Sequence, residues 1–159
     1  MLLSKNQELK LLLAPHEIDG DHLNWIEKRF EEFGCSLLSQ GPNTENRVLI
    51  VNQIGILSSL YQYGNLAFIG GGFGKGIHNT LEAAVYGIPV LFGPNHSKFK
   101  EAIELVQIGG AFSITSATEL IEKATSLLSD QENTAGQKAG EYVLKNSGAT
   151  ETIIRNMLD

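Results

Sequence analysis

A single cysteine, Cys35, occurs in 159 residues, so no disulfide can form within the chain. That fits a reducing compartment and leaves Cys35 the role of a small apolar residue in a strand. Long apolar runs are missing too: nothing approaches the ~20 consecutive residues of a membrane-spanning helix. The N-terminal stretch MLLSKNQELK lacks the apolar core of a signal peptide, and the chain as it stands is expected to be soluble. Basic residues are few, 12 against 18 acidic ones, for a net charge of −6. This balance argues against a nucleic-acid-binding face, which needs clustered Lys and Arg, while leaving room for a local basic pocket. His22, His96 and Glu17 have no partners at metal-ligand spacing, so no metal site is expected. No internal repeat, low-complexity tract or linker interrupts the sequence, and its length suits about one domain.

What is present is an alternation of short apolar runs and helical patterns. LKLLLA, ended by Pro15, reads as a strand buried on both faces. Asp21 is a candidate N-cap for a helix in which Leu23, Ile26, Phe30 and Phe33 recur at helical spacing before Gly34. Strands follow around Cys35 to Leu38 and Arg47 to Val51, separated by a polar turn, and IGILSSLYQYG reads as a short helix leading into the strand NLAFIG. Beyond it, Leu81, Ala84, Val85 and Ile88 form one apolar helix face that Gly87 and Pro89 terminate. A strand PVLF, a helix from Lys98 to Gln107, a strand GAFSI and helices over 117–128, 131–145 and 149–158 complete the chain. Strands alternating with helices predict an α/β fold, a Rossmann-like parallel sheet of about six strands with helices on both faces.

Ligands of such sheets bind outside the carboxyl ends of the strands. There the sequence puts Gly70, Gly71, Gly72, Gly74 and Gly76, a strand-turn-helix arrangement that suits an anion. Two common phosphate patterns fail. A dinucleotide fingerprint needs glycine at Lys75 or Ile77, and a P-loop needs Ser or Thr where Gly76 follows Lys75.

The segment FIGGGFGKGIHNTLEAAVYGIPVLFGPNHSKFKEAIEL resembles the C-terminal domain of the 3-deoxy-D-manno-octulosonic acid (Kdo) transferases, one half of a GT-B glycosyltransferase. LLLAPHEI, VNQIGILSSLYQYGNLAFIGG and GAFSITSATELIEKATSLLSD extend the likeness over nearly the whole chain. The resemblance implies that residues 1–159 form a domain for the nucleotide sugar CMP-Kdo. It implies that CMP lies against Pro15 and His16, against Gly55, Ile56 and Leu57, and against Asn79, Thr80, Leu81 and Glu82. Amides at Asn79 and Thr80 would take the phosphate, and the Glu82 carboxylate would take ribose hydroxyls. Lys75 is placed to meet a phosphate or the Kdo carboxylate. No separate cofactor is implied.

The whole enzyme would move Kdo to a lipid A precursor at the cytoplasmic face of the inner membrane. Its catalytic base and acceptor site would belong to an N-terminal domain absent from this chain, which on its own would bind CMP without catalysis. Two departures stand out: His16 replaces the family's arginine, and the glycine loop is one residue short, with Ile77 where glycine is usual. The residues also admit other readings. Asn79 and Glu82 have the spacing of a capping box, His16 can be a turn residue, and Trp25 and Phe30 are candidates for core or domain contact. Another GT-B sugar-nucleotide enzyme, a UDP-sugar transferase or an epimerase, and a stand-alone non-catalytic nucleotide-binding module are the alternatives.

Overall fold

The computed structural model describes residues 2–41, 43–148, 154 and 157. Apart from Ile154 and Met157, the last expected helix lies outside them. The chain forms two compact units, residues 1–60 and 61–159.

In the first unit, α1 (Leu2–Lys5) precedes β1 (Leu11–Leu13), α2 (Gly20–Phe30), β2 (Cys35–Leu37), β3 (Val48–Ile50) and α3 (Leu57–Leu60). Both partners of β3 run parallel to it, with Leu11 and Cys35 opposite Val48. The core gathers Leu3, Leu23, Ile26, Val48 and Ile50, with Phe30 and Phe33 packed on it. β1 is not buried on both faces as the apolar run suggests, since Leu12 is 40% exposed. It is an outer strand of its ladder, and its burial alternates, with Leu11 and Leu13 half-buried and Leu12 on the exposed face. The N-cap of α2 is Asp19 rather than Asp21: its carboxylate accepts from His22 N at 3.0 Å, three residues on, the reach such a cap requires. Trp25 is 62% exposed, stacks on His22, and is no part of the core. Cys35 lies in β2 half-buried, and burial pushes its thiol up, with the Glu27 charge adding to the shift.

The second unit holds β4 (Ala67–Ile69), α4 (Leu81–Ala84), β5 (Val90–Phe92), α5 (Lys100–Ile108), β6 (Ala111–Ser113), α6 (Ala117–Ser129) and α7 (Thr134–Lys145). β5 is central, with Ala67 and Ala111 opposite Val90 in parallel register. Val90, Leu91 and Phe92 are wholly buried, as a central parallel strand requires. Among the described residues the strands form two three-stranded ladders, β1-β3-β2 and β4-β5-β6, each parallel within itself.

One element departs from its sequence pattern. α4 is one turn long, and its buried residues are Ala83 and Ala84, while Val85 is 55% exposed. Its short side chains let α7 come close. A Cβ on Gly136 would strike the Gly87 carbonyl, and Asn133 Nδ2 donates to that same oxygen at 2.8 Å. α5 and α7 are tied where the Tyr142 hydroxyl donates to Glu104. Burial and that carboxylate push the hydroxyl up to about 12.

The start of α6 is a strong local cap. Ser116 Oγ accepts from Glu119 N at 3.1 Å, and the Glu119 carboxylate accepts from both Thr115 N and Thr115 Oγ1. Those bonds hold Glu119 below the usual carboxylate range. A depressed carboxyl favours the folded state above its ordinary titration range, and the contribution disappears as acid protonates the folded form. Ser116→Ala is expected to cost about 1 kcal/mol in a urea unfolding titration; an unchanged midpoint would show the cap to be idle.

Candidate functional site

The proposed contacts of the first unit leave the carboxyl ends of two neighbouring strands. β1 leads to Pro15, half-buried, and His16, exposed; β3 leads through Val51, whose N–H donates to Leu13 O at 2.8 Å, toward Gly55. Gly55 has φ +87°, a value only glycine takes without strain, and a Cβ there would meet nothing within 4 Å. The position is set by backbone conformation, and the peptide stands open to solvent on that side. Ile56 O then accepts from Ser59 N, Leu60 N and Ser59 Oγ, which starts α3 at Leu57 as the sequence suggests.

In the second unit, β4 delivers the chain into the glycine loop. Gly74 N and Gly76 N both donate to Gly71 O, and His78 N donates to Gly70 O, so the loop closes on itself. Gly71 has φ +85°, and a Cβ on it would collide with the Gly76 carbonyl. The loop also lies hard against the end of β5. A Cβ on Gly72 would stand 2.6 Å from Gly93 N, and one on Gly93 would stand 2.5 Å from Gly72 C. Asn95 completes the junction, with its N–H on Gly72 O at 2.9 Å and its Nδ2 on Gly74 O at 2.8 Å.

The loop ends at the start of α4. Asn79 Oδ1 accepts from Leu81 N at 3.0 Å, and Asn79 Nδ2 donates to Glu82 Oε1 at 3.0 Å. The two side chains thus close the helix start, related to a capping box but with a side-chain pair in place of one backbone bond. Thr80 is fully buried, and its Oγ1 has no hydrogen-bond partner among the described residues. Leu81 packs on the core. Of the four residues, Asn79 and Glu82 therefore present polar side chains outward, whereas Thr80 and Leu81 can offer only backbone. Lys75 is exposed at the tip of the loop.

Sequence reasoning missed Tyr61 and Asn95. Tyr61 begins a single 3-10 turn (Tyr61–Tyr63) that packs against α4. Burial raises its hydroxyl, and the Glu82 charge adds to that. Both contacts join residues about twenty apart in sequence, beyond the reach of any local pattern. Among the described residues, no group of three His, Cys, Asp or Glu side chains could hold a metal ion, and no helix is long and apolar enough to cross a membrane.

The parallel strands and their carboxyl-end loops make this a Rossmann-like α/β fold of the GT-B type. It is similar to the crystal structure of the C-terminal CMP-Kdo binding domain of WaaA from Acinetobacter baumannii. The TM-score is 0.76 at 18% identity, over 91% of this chain and 78% of that one. In sequence, the chain is a relative of the 3-deoxy-D-manno-octulosonic acid transferases. It is 40% identical to that of Aquifex aeolicus over 123 residues, 76% of this chain and 34% of the relative. It is 28% identical to that of Haemophilus influenzae over 160 residues, 96% of this chain and 38% of the relative. It is 30% identical to that of Chlamydia muridarum over 151 residues, 89% and 34%. The chain thus spans about a third of the length of these relatives. No protein-family model matches it.

Proposed function

We propose that residues 1–159 are the donor-binding domain of a Kdo transferase. The whole enzyme would move Kdo from CMP-Kdo to a lipid A precursor in lipopolysaccharide biosynthesis, at the cytoplasmic face of the inner membrane. The observation that carries this reading is the 40% identity to the Aquifex aeolicus transferase over 123 residues.

The proposed contacts of the first unit are Pro15, His16, Gly55, Ile56 and Leu57, where Gly55 offers open backbone. Those of the second are Asn79, Thr80, Leu81 and Glu82. Glu82 accepts the ribose hydroxyls, and its carboxylate has acceptor capacity beyond the one oxygen that Asn79 uses. The amides of Asn79 and Thr80 are the ones proposed for the phosphate, since Leu81 N is already bonded to Asn79 Oδ1. Amides at this turn would then stabilise charge gathering on the departing CMP phosphate, an electrostatic contribution that needs no proton transfer from these residues. The catalytic base is proposed to lie outside residues 1–159, and these residues alone are expected to bind CMP without turnover.

A nucleotide titration followed by amide NMR tests this. CMP is expected to shift Gly55, Asn79 and Glu82 and to compete better than UMP. Glu82→Ala should weaken CMP by about tenfold to a hundredfold, the loss of a charged acceptor worth roughly 1.5–3 kcal/mol. Absence of shifts at millimolar CMP, or equal affinity for UMP, would reject the assignment.

A further inference from the structure

We infer that Asn95 is a positioning residue for the tip of the glycine loop, fixing where Lys75 stands toward the phosphate or carboxylate of a nucleotide sugar. The inference rests on the donor-binding role proposed above and adds to it a residue and a task.

Asn95 follows Gly93 and Pro94 at the carboxyl end of β5 and grips two carbonyls of the loop. Its N–H donates to Gly72 O at 2.9 Å and its Nδ2 to Gly74 O at 2.8 Å. The second bond is the informative one, because Gly74 O belongs to the peptide that joins Gly74 to Lys75. Fixing that peptide plane fixes the direction in which the lysine leaves the backbone. The loop's remaining bonds, from Gly74 N and Gly76 N to Gly71 O and from His78 N to Gly70 O, close it on itself. They do not tie its tip to the rest of the fold. Three glycines in the five residues 72–76 give this segment more conformational freedom to lose than one without glycine, so a tie at the tip has much to restrain. Asn95 is itself exposed, so its side chain is not spent on core packing. Lys75 is the one lysine between Gly70 and Glu82, and its ammonium, a compact donor on a flexible stem, gains most from a fixed root.

The test uses the full chain and four variants, Asn95→Ala, Asn95→Gln, Lys75→Gln and the pair Asn95→Ala with Lys75→Gln, titrated with CMP and with cytidine. Ser116→Ala, at the start of α6, serves as the destabilised control. In Asn95→Ala, hydrogen exchange at Gly74 and Gly76 is expected to rise at least tenfold, and CMP to bind about tenfold more weakly. Cytidine, which lacks the phosphate, should bind as it does to the wild type. The double variant should bind CMP no more weakly than Lys75→Gln alone, because two residues acting as one unit do not add. Asn95→Gln, which keeps the amide, should recover part of the affinity.

A role limited to folding would weaken CMP and cytidine alike, or would weaken CMP equally in Ser116→Ala, and either result overturns the inference. Additive losses, or wild-type CMP affinity in Asn95→Ala, overturn it as well while leaving the proposed function intact. Failure of the wild-type chain to bind CMP removes the proposed function, and this inference with it.

Discussion

Gly93→Ala is expected to destabilise the 61–159 unit by about 3 kcal/mol or more, at the upper end of what overpacking costs. A methyl group on Gly93 would stand 2.5 Å from Gly72 C, 2.7 Å from Gly72 O and 2.8 Å from the Phe73 ring. The first two are backbone atoms and cannot swing away as a side-chain tip can. Relief requires the glycine loop to lift off the end of β5, which would break the bond from Asn95 N to Gly72 O. CMP binding should therefore fall together with stability. Gly20→Ala is the internal comparison, since nothing lies within 4 Å of its added methyl and the residue opens α2. It should be neutral or stabilising by up to about 1 kcal/mol, as alanine replaces glycine in a helix. Urea unfolding of both variants decides the matter. A Gly93→Ala protein within about 1 kcal/mol of the wild type would mean that the loop and β5 are not wedged together.

Arg47→Ala is the counterpart in the first unit. The guanidinium donates to three backbone carbonyls, Leu3 at 2.8 Å, Leu9 at 3.1 Å and Asn6, and its carbon sits 5.5 Å from the centre of the Phe33 ring. One side chain thereby fastens α1 and the approach to β1 onto the start of β3. Hydrogen bonds to a charged group contribute about 1.5–3 kcal/mol each, and these share one donor group and do not add, so a loss of about 2–4 kcal/mol is expected. The Asn6 amide, which donates to Leu2 O at 3.1 Å in α1, should lose its protection from hydrogen exchange first. Arg47→Lys should recover little, because an ammonium cannot fork to three separated oxygens. A loss below about 1 kcal/mol, or full recovery by lysine, would make Arg47 a surface residue with incidental contacts.

Much of this architecture was legible without coordinates because its signals are local. The apolar runs at Leu11, Val48, Ala67, Val90 and Ala111 became strands, since short β-rich runs between helical patterns have few other ways to bury themselves. The link from the glycine loop to the turn at Asn79 was equally readable, as was the pairing of Asn79 with Glu82 three residues on. Where reading failed, burial was the reason. Leu12 and Val85 looked like core from spacing alone, but Leu12 stands on the exposed face of β1, where burial alternates, and the single-turn length of α4 exposes Val85. Asp21 looked like a cap because capping residues cluster at 19 and 21, and which of them reaches an amide depends on where the helix begins.

The sequence by itself determined the order of elements, the parallel α/β class, and the kinship with the Kdo transferases, each encoded in periodicity or in motifs a few residues long. Only the tertiary structure decided what the glycines do. Gly71 is required by a turn within the loop, whereas Gly72 and Gly93 are required by each other across about twenty residues. It likewise found Arg47, Tyr61 and Asn95, whose partners are distant in the chain. Such contacts depend on which strand ends lie side by side, and that follows from how the whole apolar surface is buried, not from any short stretch of residues.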